Sequence, residues 1–412
     1  MLLVLLYALD RLLRLVALQR FFRRPPPPAP DRWPAVTLIQ PVTRAEHDLR
    51  AALASRLALG YPASVQHLVV CDAADHASQA LVRELAAVAP AVPVQLLTVE
   101  PDTGRVASKV AKLRAAIPHA TGEVLCCVDD DVTLPPEALE TLVRHLGTPG
   151  AGAVFGLARY TAWETPWSSL MSLFVNAWAL PSYVPLSLLT EPYTITGHCF
   201  ALRREVFMAA GGLDGMDGRL DDDHELARRV RSLGLRCVQT PLVYAAENRF
   251  ASFGAYHAQL RRWFVFPRQA LLPQLTPRER AITALGSAGN FLPPLALAVA
   301  LASRRPSAGG AALACLALFL ACYGVVDRRY LGGETPPGRW PLLPLTALLT
   351  PLHILCASLG GEVVEWRGQR IRALRGGGFV VLGDTQAGQA GEPGRPSASA
   401  RLRGGWLLRT LL

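Results

Sequence analysis

Three consecutive aspartates, at 129–131, follow directly on the apolar run VLCCV (124–128). An apolar run of that length, bounded by turn residues, reads as a buried strand. The three carboxylates therefore crowd one strand end. Carboxylates held that close raise one another's cost of ionisation, and a shared cation removes the cost. Such a cluster reads either as a solvated strand-to-helix turn or as a strand end where a cation can sit.

The stretch from about 33 to 240 has the pattern to build such a strand end. Apolar runs at VTLIQ (36–40), HLVVC (67–71), VQLLTV (94–99) and VLCCV alternate with helical stretches at 45–58, 77–89 and 107–116. Alternation of this kind predicts an α/β domain with a largely parallel sheet. Ligands of such sheets gather at the carboxyl ends of the strands. Asp72 and Asp129–Asp131 lie at two of those ends.

Composition adds a membrane. The 412 residues are 51% hydrophobic and only 18% charged, with a mean hydropathy of +0.25. That is too apolar for an ordinary soluble enzyme. The net charge of +10 suits anionic lipid head groups or a nucleotide diphosphate. Nucleic acid is disfavoured, because the arginines flank apolar spans and do not line an aromatic-studded groove. The eight cysteines form no CxxC pair and no zinc spacing with histidine, so they read as small buried hydrophobes facing a reducing compartment.

The apolar segments divide the chain. Residues 1–24 read as a membrane or interfacial helix in which Asp10 and Arg14, four apart, share a face. No small-residue cleavage site follows, which argues against a signal peptide. Arg20, Arg23, Arg24 and the prolines at 25–28 make a basic cytoplasmic flank and a stiff spacer. Residues 33–270 form the catalytic domain. Within it, 165–195 is apolar, yet Pro181 and Pro185 argue against one straight span. It reads as a surface-lying segment, the lining of an acceptor groove, or core. Membrane helices occupy 281–360, with span candidates at 281–303, 309–326 and 341–360. A basic juxtamembrane segment (361–383) and a disordered tail (384–412) follow. Three full crossings would put Arg367, Arg370, Arg372 and Arg375 outside, against the positive-inside rule. The conflict disappears if 281–303 lies in the interface.

Several side chains carry candidate chemistry. Asp129 and Asp131 form a DxD that can hold a divalent cation, Mg or Mn, bridging to the phosphates of a sugar nucleotide. Asp72, with Asp75 as its rival, can accept hydrogen bonds from a nucleoside. Lys109, with Lys112 as the alternative, starts a helix and suits a phosphate. Asp222 and Asp223 open the helical stretch DDDHELARRVRSLG. That position also favours acids through the helix dipole. Asp223 is the preferred general base, Asp222 the second, and His224 a third. Gln259, Arg262 and Trp263 of QLRRW share one face if helical. The guanidinium can clamp a diphosphate, and the indole can stack on a sugar or pack at the lipid interface.

In this order the pieces resemble the ceramide glucosyltransferase family, a branch of the family 2 glycosyltransferases. The resemblance covers about 35–270 and rests on the Asp after strand 67–71, DDD at 129–131, TGHCFALRREVF (196–207), DDDHEL (221–226) and QLRRW (259–263), with an echo in WRGQRIR (366–372). It implies a GT-A fold and a divalent cation; the apolar segments and the reduced cysteines add a multi-pass membrane protein with its catalytic domain in the cytoplasm. The implied reaction moves a hexose, usually glucose from UDP-glucose, with inversion, to a lipid acceptor such as ceramide, diacylglycerol or a hopanoid. By position, Asp72 would contact the nucleoside, Asp129 and Asp131 would hold the metal diphosphate, and Asp223 would be the base. Gln259, Arg262 and Trp263 would close over the diphosphate. The family often has Glu where Asp222 stands. Two rival readings share the motifs: a processive polysaccharide synthase, which needs more membrane helices for a pore, and a non-catalytic scaffold that binds sugar nucleotides.

Overall fold

The computed structural model describes residues 1–43, 48–88, 93–100, 108–219, 221–366 and 369–384. The predicted tail from 385, the first residues of the 45–58 helix, and Leu220, Arg367 and Gly368 lie outside the described residues.

A long helix, α1 (Leu2–Phe22), precedes the first βα units: β1 (Val36–Pro41), α2 (Leu49–Leu57), β2 (Val65–Asp72), α3 (His76–Val88), β3 (Val94–Val99), α4 (Ser108–Ala116) and β4 (Val124–Val128). All four predicted strands are present. Every residue of β1 and β4 is buried, as central strands covered on both faces require. Strands β1 to β4 pair in parallel, in the order β3-β2-β1-β4.

The second half of the domain departs from the expected parallel sheet. It comprises β5 (Val132–Thr133), α5 (Ala138–Leu146), β6 (Ala151–Tyr160), α6 (Pro166–Leu189), β7 (Cys199–Arg203), α7 (Arg204–Ala209), α8 (Asp222–Ser232) and β8 (Arg236–Ala246). Strand β7 lies antiparallel between β4 and β6, and β5 pairs antiparallel with β8. The result is one mixed eight-stranded sheet. The reversal turns the start of β7 toward the carboxyl end of β4: the register sets Val128 opposite Cys199, and Asp129 N–H donates to the His198 carbonyl (2.8 Å).

Helix α6 corrects a second expectation. It runs unbroken through both prolines. Thr165 caps its first turn and Pro166 sits at the first helical position, where no N–H is needed. Asn176 ties it to the sheet, exchanging hydrogen bonds of 2.7 and 2.9 Å with the Tyr160 backbone.

After α9 (Phe253–Gln269) come α10 (Pro277–Ala288), α11 (Leu292–Ser303), α12 (Pro306–Tyr330) and α13 (Leu343–Leu359). Three short strands follow: β9 (Val363–Trp366), β10 (Gln369–Ala373) and β11 (Phe379–Asp384). Among the described residues, four helical stretches are long and apolar enough to cross a membrane: Pro166–Leu189, Pro277–Ser303, Pro306–Tyr330 and Pro337–Leu359. Both ends of α13 touch the catalytic domain. Arg339, just before it, donates to the Trp163 carbonyl (2.7 Å). Arg268 of α9 collects the carbonyls of Ala357, Ser358 and Gly360 at 2.7–2.9 Å. The β9–β11 sheet then packs Val364, Ile371 and Phe379 against Val265 and Phe266 of α9.

Helix α1 buries two arginines beside Tyr7, Leu18 and Phe21 and exposes a face of leucines. Leu2, Leu5, Leu6, Leu9, Leu12 and Leu13 are exposed, while Arg11 and Arg14 are buried. Asp10 pairs with both arginines. Arg11 also donates to Asn290 Oδ1 (2.9 Å). Arg14 donates to the carbonyls of Gly286 and of Pro181, the latter at 2.6 Å. The ring nitrogen of Pro185 has no hydrogen to give the Pro181 carbonyl one turn back, so Arg14 replaces the missing helical donor. Gly289 leaves the room, since a Cβ there would overlap the Asp10 carboxylate.

Candidate active site

The predicted residues converge at the carboxyl edge of the sheet. The DDD loop leaves β4 and splits its three carboxylates. Asp130 turns back to the end of β1, where the Thr43 N–H donates to it at 2.5 Å. Asp129 and Asp131 remain on the site side. Asp131 Oδ1 is buried with no hydrogen-bond partner among the described residues. Burial, then Asp129 and Asp130, push its carboxyl well above the usual range, against Lys109. A buried, unpartnered carboxylate oxygen beside a second carboxylate fits a hard divalent cation. Among the described residues no three His, Cys, Asp or Glu side chains gather as a metal cage. A cation here would take these two carboxylates and complete its shell with water or phosphate oxygens.

The two lysines of α4 reach different strand ends. Lys112, wholly buried, holds Asp72 Oδ2 at 2.9 Å and donates to Ser108 Oγ at 2.8 Å. Asp72 thus stands fixed at the end of β2. Its rival Asp75 accepts from the Ser78 N–H at 3.1 Å and caps α3. Lys109 lies 2.7 Å from Asp129 Oδ1, donates to the Gly197 carbonyl at 2.7 Å, and is 3.9 Å from Asp222 Oδ2. Burial opposes its charge, but Asp129 and Asp222 outweigh it and hold the ammonium's pKa above the usual value.

The first turn of α8 faces the DDD loop across Lys109. Burial raises the Asp222 carboxyl, with Lys109 opposing. Asp223 is pushed up to about 7 by burial and by Asp222. Its Oδ1 accepts from the His224 N–H (2.7 Å), and Gly197 keeps clear the space beside Oδ2. Burial pushes His224 down to about 4, so its imidazole is neutral at pH 7. Asp223 also lies within electrostatic reach of Tyr183, on the proline-bearing half of α6.

On α9, Arg262 donates to Gln259 Oε1 at 2.9 Å. The Trp263 ring sits 6.1 Å from Tyr160 and 6.2 Å from Phe174, wedged between the sheet and α6.

Two side chains that the sequence reading did not single out complete the arrangement. His198 Nε2 lies 3.1 Å from the Tyr160 hydroxyl, and burial lowers its pKa, so a neutral ring joins the DDD loop to the aromatic seat of Trp263. Arg56, 2% exposed, reaches up from α2. It donates to the carbonyls of Asp129 (2.9 Å) and Val132, bracketing the acidic loop from below. Hydrogen bonds from such a charged donor are worth about 1.5–3 kcal/mol each. The signal for Arg56 was an arginine on a helix face shared with Ala52 and Leu53. His198 lay within a quoted motif with no role attached.

A sheet of this order, with a DxD loop at its carboxyl edge and a second acidic turn opposite, defines a GT-A glycosyltransferase. The chain belongs to glycosyl transferase family 21, the ceramide glucosyltransferase family, which it matches over residues 2–379. The match is to family 21, where the sequence had suggested a branch of family 2. The enzyme transfers a sugar from a nucleotide-sugar donor, which sets the scaffold reading aside. Among solved structures, the chain is similar to a mannosyltransferase from Pyrobaculum calidifontis in complex with GDP-Man and Mn2+. Identity is 21%, covering 86% of this chain and 96% of that one, with a TM-score of 0.48. It is also similar to S. aureus TarS in complex with UDP-GlcNAc, at 13% identity over 84% of this chain and 98% of that one (TM-score 0.39). A third similarity is to GalNAc-T7 with UDP, GalNAc and Mn2+, at 12% identity over 62% of this chain and 55% of that one (TM-score 0.40).

Proposed function

We propose that this enzyme is a membrane-bound inverting hexosyltransferase that moves glucose from UDP-glucose to the hydroxyl of a lipid: ceramide, diacylglycerol or a hopanoid. The observation that carries the reading is the Lys109 bridge, one ammonium 2.7 Å from Asp129 and 3.9 Å from Asp222, which sets Asp223 beside the acids of the donor site. Tyr183, within electrostatic reach of Asp223, belongs to a helix apolar enough for a membrane. A sugar held here would meet a lipid acceptor along that helix.

In this reading Asp72 accepts hydrogen bonds from the nucleoside, and Lys109, Arg262 and Gln259 take the diphosphate oxygens. Trp263 closes over the sugar. A divalent cation, Mg or Mn, held by Asp129 and Asp131 would neutralise the leaving diphosphate. Asp223 takes the proton of the acceptor hydroxyl as its oxygen attacks the anomeric carbon. The bond to the diphosphate breaks on the opposite face, and the anomeric centre inverts. Asp222, beside it, raises the basicity of Asp223 by repulsion.

The test is transfer of radiolabelled sugar by purified membranes containing this chain, offered UDP-glucose, UDP-galactose or GDP-mannose with and without EDTA. Label from UDP-glucose in one chloroform-soluble glycolipid, lost with EDTA, is the expected result. Label only in insoluble polymer would replace this reading with the processive synthase. Transfer from GDP-mannose alone would overturn the donor.

A further inference from the structure

Lys109 Nζ lies against the carboxylate that a metal ion would use. It is 2.7 Å from Asp129 Oδ1, 2.7 Å from the Gly197 carbonyl and 3.9 Å from Asp222 Oδ2. One ammonium thus ties the DDD loop to the first turn of α8. A divalent ion on Asp129 and Asp131 would sit within a few ångströms of that ammonium. In a part-buried site such like-charge repulsion far exceeds thermal energy. Both cations cannot keep Asp129 unless an anion joins them.

We propose that Lys109 is the resident counter-ion of the ligand-free site and that loading is an exchange. The diphosphate arrives with the metal ion, Lys109 gives up Asp129 to the ion, and its ammonium swings to the phosphate oxygens. The four-carbon stem permits that swing without backbone movement. Asp131 adds a second, independent sign. Lys109 reaches Asp129 but leaves Asp131 Oδ1 buried and unpartnered, so the lysine is an incomplete substitute for a cation that bridges both. The exchange makes metal binding conditional: the free ion meets a site already neutralised, while the nucleotide-bound ion brings the anion that draws the lysine away. The proposal rests on the reading of Asp129 and Asp131 as metal ligands and adds an order of binding to it.

The experiment measures Mn2+ binding directly, by electron paramagnetic resonance of the free ion, on the full-length protein in detergent, with and without UDP. The proteins are the wild type, Lys109→Met, Lys109→Arg and Asp131→Ala. The wild type is expected to bind Mn2+ more than tenfold tighter with UDP than alone. Lys109→Met, freed of the internal cation, is expected to bind Mn2+ alone at least tenfold tighter than the wild type and to gain less from UDP. Lys109→Arg keeps the charge and the weak binding of the lone ion. Lys109→Met with unchanged or weaker affinity for the lone ion would overturn the exchange. So would Lys109→Arg behaving as Lys109→Met does, because the gain would then come from lost packing rather than lost charge. Asp131→Ala separates the two layers. Mn2+ binding that survives this change removes the metal assignment itself, and the exchange falls with it.

Discussion

Asp223 is a carboxylate poised at neutral pH, with burial and Asp222 pushing it up to about 7. A general base works only when deprotonated. The active fraction therefore falls as pH drops through about 7, tenfold per unit below it. We expect an acid limb in kcat with a midpoint near 7, and Asp223→Asn to lower kcat by about 10²–10⁴ while leaving donor affinity within twofold. A pH–rate profile beside donor titration checks this, and near-normal turnover in Asp223→Asn would return the role to Asp222. The acids were legible because runs of aspartate are conspicuous and their order is specific. The cations were legible only in part. Lys109 and Lys112 are three apart on one helix, so both reach the site, and only the strand ends decide which acid each receives. Arg56 is a lone cation on an apolar helix face, and its partners are backbone carbonyls that no sequence displays.

At the scale of elements, the first four strands were legible because each is a short apolar run between turns. The later ones were hidden. Strand β6 carries two glycines, and β8 carries Pro241 and a register shift beside β6. Helix α6 was obscured by prolines whose cost falls where a neighbouring arginine supplies the missing donor. The C-terminal sheet is the least expected element, because it rejoins the catalytic site after the last apolar helix. The Phe379 N–H donates to the Gly218 carbonyl at 2.9 Å, and the Gly376 N–H to that of Gln269 at 3.0 Å. Gly377, at φ +96°, lies so close to Asp221 that a Cβ would strike its carboxylate. That turn braces the loop entering α8. We expect Gly377→Val to displace the first turn of α8 and lower kcat at least tenfold with UDP binding little changed. Equal turnover would mean the turn yields freely.

At the scale of the molecule, the docked sheet makes a prediction about topology. The catalytic domain touches β9–β11, so membrane crossings between residues 270 and 361 would come in an even number. Helix α13 is held to the catalytic domain at both ends, and we expect it not to cross, with the α10–α11 stretch and α12 forming a hairpin tipped by Arg304 and Arg305. The sequence met the same parity by laying 281–303 in the interface, and the two assignments put that tip on opposite sides. Two introduced cysteines test this in a Cys356→Ser background. Ser307→Cys, at the tip, should react with an impermeant maleimide from outside intact cells. Leu374→Cys should react only after permeabilisation. Reaction of both from the same side would mean the hairpin never crosses.

The buried charges of α1 have a consequence for how the chain assembles. Arg11 and Arg14 pair with Asp10 inside the helix, but their other partners, Asn290, Pro181 and Gly286, lie 279, 167 and 272 residues further along. Until those partners have been made, α1 carries two guanidinium groups against one carboxylate, with hydrogens that lipid does not satisfy. Helix α1 therefore completes its polar contacts only after α6 and α10 are in place. A chain interrupted before residue 286 would leave both arginines short of acceptors, so the seating of α1 acts as a check that the middle of the chain has arrived.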